Sequence, residues 1–255
     1  MTIYERLLEK ALSRGRGRRA VDVRIGLGYT AVALDNGSVG LAYTPLEEKA
    51  GCNILPPEVS FHDRPADLLA KNFLSPNPIE VAVGLATINA VVNNPREDFL
   101  MGDPLSLLKP GPEDKVAMVG FFEPLVKRLQ GKVQELWVFE RSEGRFAEAL
   151  SEVEMVDYLP QATVAIITSV TLINKTLEEI LDLLTSPRAV ILLGPSTPLL
   201  PEVFQDQKIT LLSGMVVKDK EILKVVSEAK GTKAFGPFVE KVNLEIRSGL
   251  VGQEK

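Results

Sequence analysis

The chain has 255 residues, 45% of them hydrophobic and 25% charged, with a formal net charge of -5. Such a composition belongs to a folded globular protein and excludes a disordered one. The acidic balance argues against nucleic acid as a partner. No apolar run reaches the roughly 18 residues that a membrane span needs. One Cys and one His are too few to close a soft-metal site within one chain.

A lone Cys52 cannot form an internal disulfide, and Met1-Thr2-Ile3-Tyr4-Glu5-Arg6 lacks a basic-then-apolar leader pattern. A cytoplasmic location is therefore expected. Ile3, Leu7, Leu8 and Leu12 share a helical face, which predicts a helix over 3–13. The basic run Arg14-Gly15-Arg16-Gly17-Arg18-Arg19 is read as a solvated connector rather than a phosphate grip. Strands are predicted over 21–28, 30–34 and 38–43. Asp35-Asn36-Gly37 joins the last two as a tight hairpin, because Asn-Gly tolerates positive φ at both central turn positions. Helices are predicted over 65–73 and 79–92, the second stopped by Asn93-Asn94-Pro95. Residues 94–114, rich in Pro and Gly, are read as a linker.

Beyond the linker, apolar runs alternate with helical ones. Strands are expected over 116–120, 133–140, 164–169, 189–193, 209–212 and 238–246. Helices are expected from about Glu123 and over 175–184, 199–204 and 220–230. That alternation predicts a parallel sheet covered on both faces. The chain thus reads as an α+β domain over 1–100 followed by an α/β domain over 101–255.

Ligands of open α/β sheets sit beyond the carboxyl ends of the strands. Four segments fall there. Gly120-Phe121-Phe122-Glu123-Pro124 has one glycine where a dinucleotide site wants three, and Glu123 at a helix start repels phosphate. NAD and FAD are therefore disfavoured, and the glycine loop of adenosylmethionine enzymes is missing. Glu140 ends the second strand, 20 residues after Gly120, and is either a ribose-type anchor or a surface acid paired with Arg141. Thr171 and Asn174 either face a ligand or cap a helix. Thr176 with Glu179 reads as a capping box. In Gly194-Pro195-Ser196-Thr197-Pro198, Gly194 permits close backbone approach, Thr197 before Pro198 reads as a helix start, and Ser196 is left to face a cleft. Asn89, in the apolar helix over 79–92, either bonds neighbouring backbone or points into a cleft. A Cys52–His62 nucleophilic dyad is disfavoured, and His62-Asp63-Arg64 is read as a solvated turn.

The ordered set Ala86-Thr87-Ile88-Asn89-Ala90, Val119-Gly120-Phe121-Phe122, Val138-Phe139-Glu140-Arg141, Thr171-Leu172-Ile173-Asn174-Lys175-Thr176-Leu177 and Leu193-Gly194-Pro195-Ser196-Thr197-Pro198 resembles the bacterial and archaeal "putative heavy-metal chelation" proteins. The resemblance spans nearly the whole chain. It implies an enolase-N-terminal-like domain followed by a Rossmann-like one, with a site built by both. It also implies action on pterin-, flavin- or siderophore-like molecules. The expected site is Asn89, Gly120, Phe121, Phe122, Glu140, Thr171, Asn174, Gly194 and Ser196. Phe121 or Phe122 would stack on a ring, and Glu140 would be the anchor or acid/base. No metal ligands and no cofactor are assigned. The expected partner is a small molecule, and a homo-oligomer is left open. The alternatives are a non-catalytic metal or metal-chelate binder and an adenosylmethionine-dependent methyltransferase.

Overall fold

A computed structural model describes residues 1–45, 55–56, 58–141, 144 and 146–246. Helix α1 (Ile3–Arg14) is capped reciprocally: the Thr2 hydroxyl accepts from the Glu5 N–H and the Glu5 carboxylate from the Thr2 N–H. Three antiparallel strands follow in the order β1-β2-β3: β1 (Ala20–Ile25), β2 (Tyr29–Leu34) and β3 (Val39–Tyr43). The Asp35-Asn36-Gly37 turn stands where the sequence puts it, but as a three-residue loop in which Gly37, and not Asn36, takes positive φ. Gly37, at φ +91°, donates to Leu34 O, and the Ser38 N–H donates to Asn36 Oδ1.

Helices α2 (Ala66–Lys71) and α3 (Pro78–Val92) complete this unit. Asn77 caps α3, its Oδ1 accepting from the Ile79 and Glu80 N–H groups, and Pro78 occupies the first turn. Helix α3 is apolar nearly all round because it is enclosed nearly all round. Two glycines make that possible. A Cβ on Gly40 would lie 2.0 Å from Ala86 O, and one on Gly84 would lie 2.1 Å from Phe73 N. Backbone meets backbone at both places.

The stretch read as a linker carries structure of its own: β4 (Leu100–Met101) and α4 (Pro104–Leu108). A two-residue strand leaves no periodic trace, and β4 exists because Asn243 Nδ2 holds Leu100 O and Gly102 O. Then come β5 (Lys115–Val119), α5 (Glu123–Leu129), β6 (Glu135–Phe139), α6 (Met155–Tyr158), β7 (Val164–Thr168), α7 (Leu177–Leu183), β8 (Ala189–Leu193), α8 (Pro201–Phe204), β9 (Leu211–Val217), α9 (Ile222–Ser227) and β10 (Val239–Glu245). The seven-stranded sheet runs β4-β10-β9-β8-β7-β5-β6. Strands β5 to β9 are parallel, while β10 and β4 are antiparallel. Strand β9 outruns the expected 209–212 because β10 pairs with it along its whole length.

The protein is therefore an α/β molecule: a Rossmann-like, mostly parallel sheet with a smaller α+β unit ahead of it. One face of the leading sheet, with Val32, Leu34 and Ala42, joins α3 in a core that continues through Val119 and Ile167 to Leu244. The other face, with Ala31, Ala33 and Leu41, packs on Met215, Ile222, Val226 and Phe235. The leading sheet is thus buried between its own helix and the second unit.

Candidate functional site

The five parallel strands stand in the order β6-β5-β7-β8-β9. The chain moves from β5 outward to β6, then returns across β5 to β7. At that reversal the loops leaving β5 and β7 part, and a crevice opens at the carboxyl ends of the strands. A cavity of about 250 Å³ lies there. Its floor is Gly120, Phe121 and Phe122 after β5, Glu140 after β6, Thr168 at the end of β7, and Thr171 and Asn174 after it. Its roof is Tyr29, Tyr43, Pro45 and Pro78 from the leading unit.

Each wall has a local cause. Gly120 holds φ +89°, and a Cβ there would come within 2.9 Å of the Thr168 side chain. This sharp turn sends the Phe121 N–H to Glu140 Oε2 at 3.0 Å, so the carboxylate is oriented at the mouth of the crevice. Phe121 stacks on Phe146 with ring centroids 5.0 Å apart. Arg141 pairs with Glu152, also in the wall. After β7, Thr168 Oγ1 accepts from the Val170 N–H and the Thr171 hydroxyl donates to Thr168 O at 2.7 Å. Asn174 Oδ1 accepts from the Thr176 hydroxyl at 2.8 Å. The expected Thr176–Glu179 capping box does not form, since Asn174 takes the Thr176 hydroxyl instead.

Between these two wall residues, Lys175 turns away from the cavity. It holds φ +62°, and its Nζ donates to Phe73 O at 2.7 Å. The ammonium also sits 3.5 Å from the Phe73 ring centroid and 4.6 Å from that of Tyr4. Desolvation lowers its pKa to about 7. Lys175 thereby ties the loop after β7 to the leading unit.

Three expected site residues lie elsewhere. Asn89 is fully buried, and its Nδ2 donates to Leu41 O at 2.8 Å and to Ser196 O at 3.1 Å. Ser196 is buried too, its Oγ accepting from the Tyr43 N–H at 2.8 Å. Gly194, at φ +138°, approaches Ser169, whose Oγ would lie 2.7 Å from a Cβ. None of the three lines the cavity; Asn89 and Ser196 join the two units beside it, and Gly194 packs within the second unit. Helix α8 starts at Pro201 rather than after Thr197, and Ser196 and Thr197 are buried at the joint rather than facing the cleft. His62 is exposed beside the Arg19–Asp63 ion pair, and Cys52 lies outside the described residues.

Tyr29, Tyr43, Pro78 and Glu152 are among the wall residues that the sequence does not single out. A signal existed for two of them. Once the three-residue loop Asp35-Asn36-Gly37 sets Leu34 opposite Ser38, Tyr29 and Tyr43 stand opposite each other, and they meet edge to face. Among the described residues no three His, Cys, Asp or Glu side chains converge to hold a metal ion. Among the described residues the wall offers oxygens and no thiol, a donor set that favours hard cations over soft heavy metals.

Comparison with known proteins bears on the whole chain. Residues 4–92 and 103–245 each match a family model described as "Putative heavy-metal chelation". An uncharacterized protein of Methanocaldococcus jannaschii is 28% identical over 260 residues, covering 96% of either chain. A crystal structure from Pyrococcus horikoshii superposes with a TM-score of 0.85 at 27% identity, covering 96% of this chain and all of that one. Another from Desulfitobacterium hafniense gives 0.81 at 25% identity, covering 95% and 96%. Both are proteins with unknown function from the family that matches residues 103–245. By its match over more than half its length, the chain belongs to the family described as "Putative heavy-metal chelation".

Proposed function

We propose that the protein binds a planar heteroaromatic metabolite of pterin-, flavin- or siderophore-like chemistry in the crevice at the ends of β5, β6 and β7, and acts on it as an enzyme. One observation carries this reading: aromatic and oxygen-bearing side chains line one cavity. Phe121, Phe122, Tyr29 and Tyr43 supply the rings, and Glu140, Thr171 and Asn174 the oxygens. A carboxylate anchored by the Phe121 N–H suits the ring N–H groups of such a compound. Bulky Phe121 and Phe122, followed by exposed Glu123, stand where a phosphate-binding loop would lie, which speaks against a dinucleotide. Handling an organic chelator, rather than gripping the metal, reconciles the family description with the side chains of the wall.

In this reading Glu140 is the anchor or general acid/base, and Asn174 orients the ligand. Thr171 shapes the loop. Asn89 and Ser196 hold the two walls in register from outside the cavity, and Gly194 lets the loop after β8 pack on Ser169. The division near residue 100 separates a unit that supplies the roof from one that supplies the floor, and the protein works in the cytoplasm. The test is a binding and turnover panel of pterins, flavins and siderophore precursors with wild type and Glu140→Gln. We expect micromolar binding by at least one compound, and a loss of turnover of about 100-fold or more in the variant. Turnover that survives Glu140→Gln unchanged contradicts the catalytic assignment. A stoichiometric, tightly held metal in the purified protein would favour a metal carrier instead.

A further inference from the structure

We propose that Lys175 is a proton-sensitive latch of the crevice: as a neutral amine it keeps the loop after β7 docked on the leading unit, and on taking up a proton it lets that loop loosen. Its meaning as regulation rests on reading the crevice as the ligand site. The latch stands where floor and roof meet. Asn174 and Thr176, on either side of it, line the cavity. Its side chain ends at Phe73 in the turn Asn72–Leu74, from which the chain runs on to Pro78 of the roof.

Lys175 combines features that are each costly, and a purely structural tie needs none of them. Its backbone, at φ +62°, lies in the left-handed region that suits glycine and asparagine. Its long side chain is ordered to the tip against its own rotamer entropy. Its nitrogen is enclosed by the Phe73 carbonyl at 2.7 Å, the Phe73 ring at 3.5 Å and the Tyr4 ring at 4.6 Å. A methionine would fill the same space with no charge to desolvate. What lysine adds is a proton that can come and go. The neutral amine still donates to Phe73 O, whereas the ammonium exchanges bulk water for one carbonyl and two ring faces.

The groups packed around the nitrogen do not hold its charge. On α1, Tyr4 stays neutral, because burial pushes its phenol up to about 12. The turn Asn72–Leu74 brings a ring and a carbonyl but no carboxylate, and Lys71 before it is exposed. On α7, Glu178 accepts from the Ile3 N–H at 2.6 Å, and Glu178 and Glu179 act on Tyr4. None of these moves Lys175: desolvation is the cause that carries it down to about 7. A lysine released to water keeps its proton to about pH 10. The docked loop therefore binds fewer protons than the released one between those values. Docking strengthens by up to about ten-fold per pH unit above about pH 7 and levels off below it.

The experiment is amide hydrogen exchange on the ligand-free full chain from about pH 6 to about pH 9, corrected for the intrinsic rate at each pH. The reporters are the Ile173, Asn174 and Thr176 N–H groups, which bond to Val170 O and Thr171 O within the loop. Wild type, Lys175→Met and Lys175→Arg are compared, with melting curves to confirm folding. Wild type should gain about ten-fold or more in protection as pH rises across that range. Lys175→Met keeps every other titratable group and should show no such gain. Lys175→Arg is charged throughout and should stay near the low-pH level of wild type. A carbon-13 titration of the wild-type lysines needs no variant, and should show one amine with a midpoint near 7. Protection in wild type that ignores pH overturns the proposal. So does a gain that persists in Lys175→Met, or a set of lysines that all titrate above about pH 9. Because no ligand is used, a heteroaromatic panel that fails to bind speaks against the crevice reading alone, and a loop indifferent to pH against the latch alone.

Discussion

Asp114 stands just before β5, buried, with both oxygens engaged by Arg188: Nε at 2.9 Å on Oδ1 and Nη2 at 2.6 Å on Oδ2. The Gly111 N–H and the Thr163 hydroxyl add two more bonds. The Arg188 guanidinium beside it is the main cause of a pKa lowered to about 2. The folded value lies below the unfolded one. Asp114 therefore stabilises the fold above about pH 4, and that contribution fades as pH falls through 4 toward 2. Asp114→Asn should lower the free energy of unfolding by about 2–3 kcal/mol at neutral pH, and the gap to wild type should close near pH 2. Urea titrations at several pH values check this, and a gap that ignores pH contradicts it. At this scale the sequence was only partly legible. Glu140, Thr171 and Asn174 could be named because strand ends are where ligands gather. The burial of Asn89 could also be named, but not its destination, since Leu41 lies 48 residues away and Ser196 lies 107 away. Local spacing carries no information about such partners.

Among the elements, α3 and β3 set the geometry of the roof. Gly40 brings the strand onto the helix so closely that a methyl group would strike Ala86 O and Ala90 N. Gly40→Ala should cost about 3 kcal/mol or more, a fall in melting temperature of about 6–12 °C. Gly111→Ala is the control. Open space surrounds Gly111, so its melting temperature should stay near wild type, and equal losses in the two variants would contradict the close-packing account. Long apolar elements were legible in the sequence: α3 by a hydrophobic run broken inside only by Thr87 and Asn89, and β8 by five consecutive apolar residues. The short pieces were not. Strand β4 depends on Asn243, more than 140 residues away, and Ser213-Gly214 masks the second half of β9, which β10 keeps extended. Strand pairing over such distances overrides local propensity.

For the whole molecule, two sheets are joined so that the reversal in strand order falls under the open end of the leading hairpin. The joint is made by Asn89, Asn93, Ser196 and Lys175, each bonding backbone of the other unit. The order β6-β5-β7 could not be read from the sequence, which gives alternation but not adjacency. Position along the chain therefore named the loops that make the floor but not the tyrosines that cover it. The central claim is that this crevice, and no other part of the molecule, takes the ligand. Val170 lines it without a side-chain hydrogen bond of its own, so Val170→Trp should fill the space and leave the fold in place. The most direct measurement is calorimetric titration of the heteroaromatic panel into wild type and Val170→Trp, with melting curves to confirm folding. We expect micromolar binding by wild type and a loss of at least 100-fold in the variant. Equal affinity in both proteins, or no binding by wild type at millimolar ligand, would contradict the account.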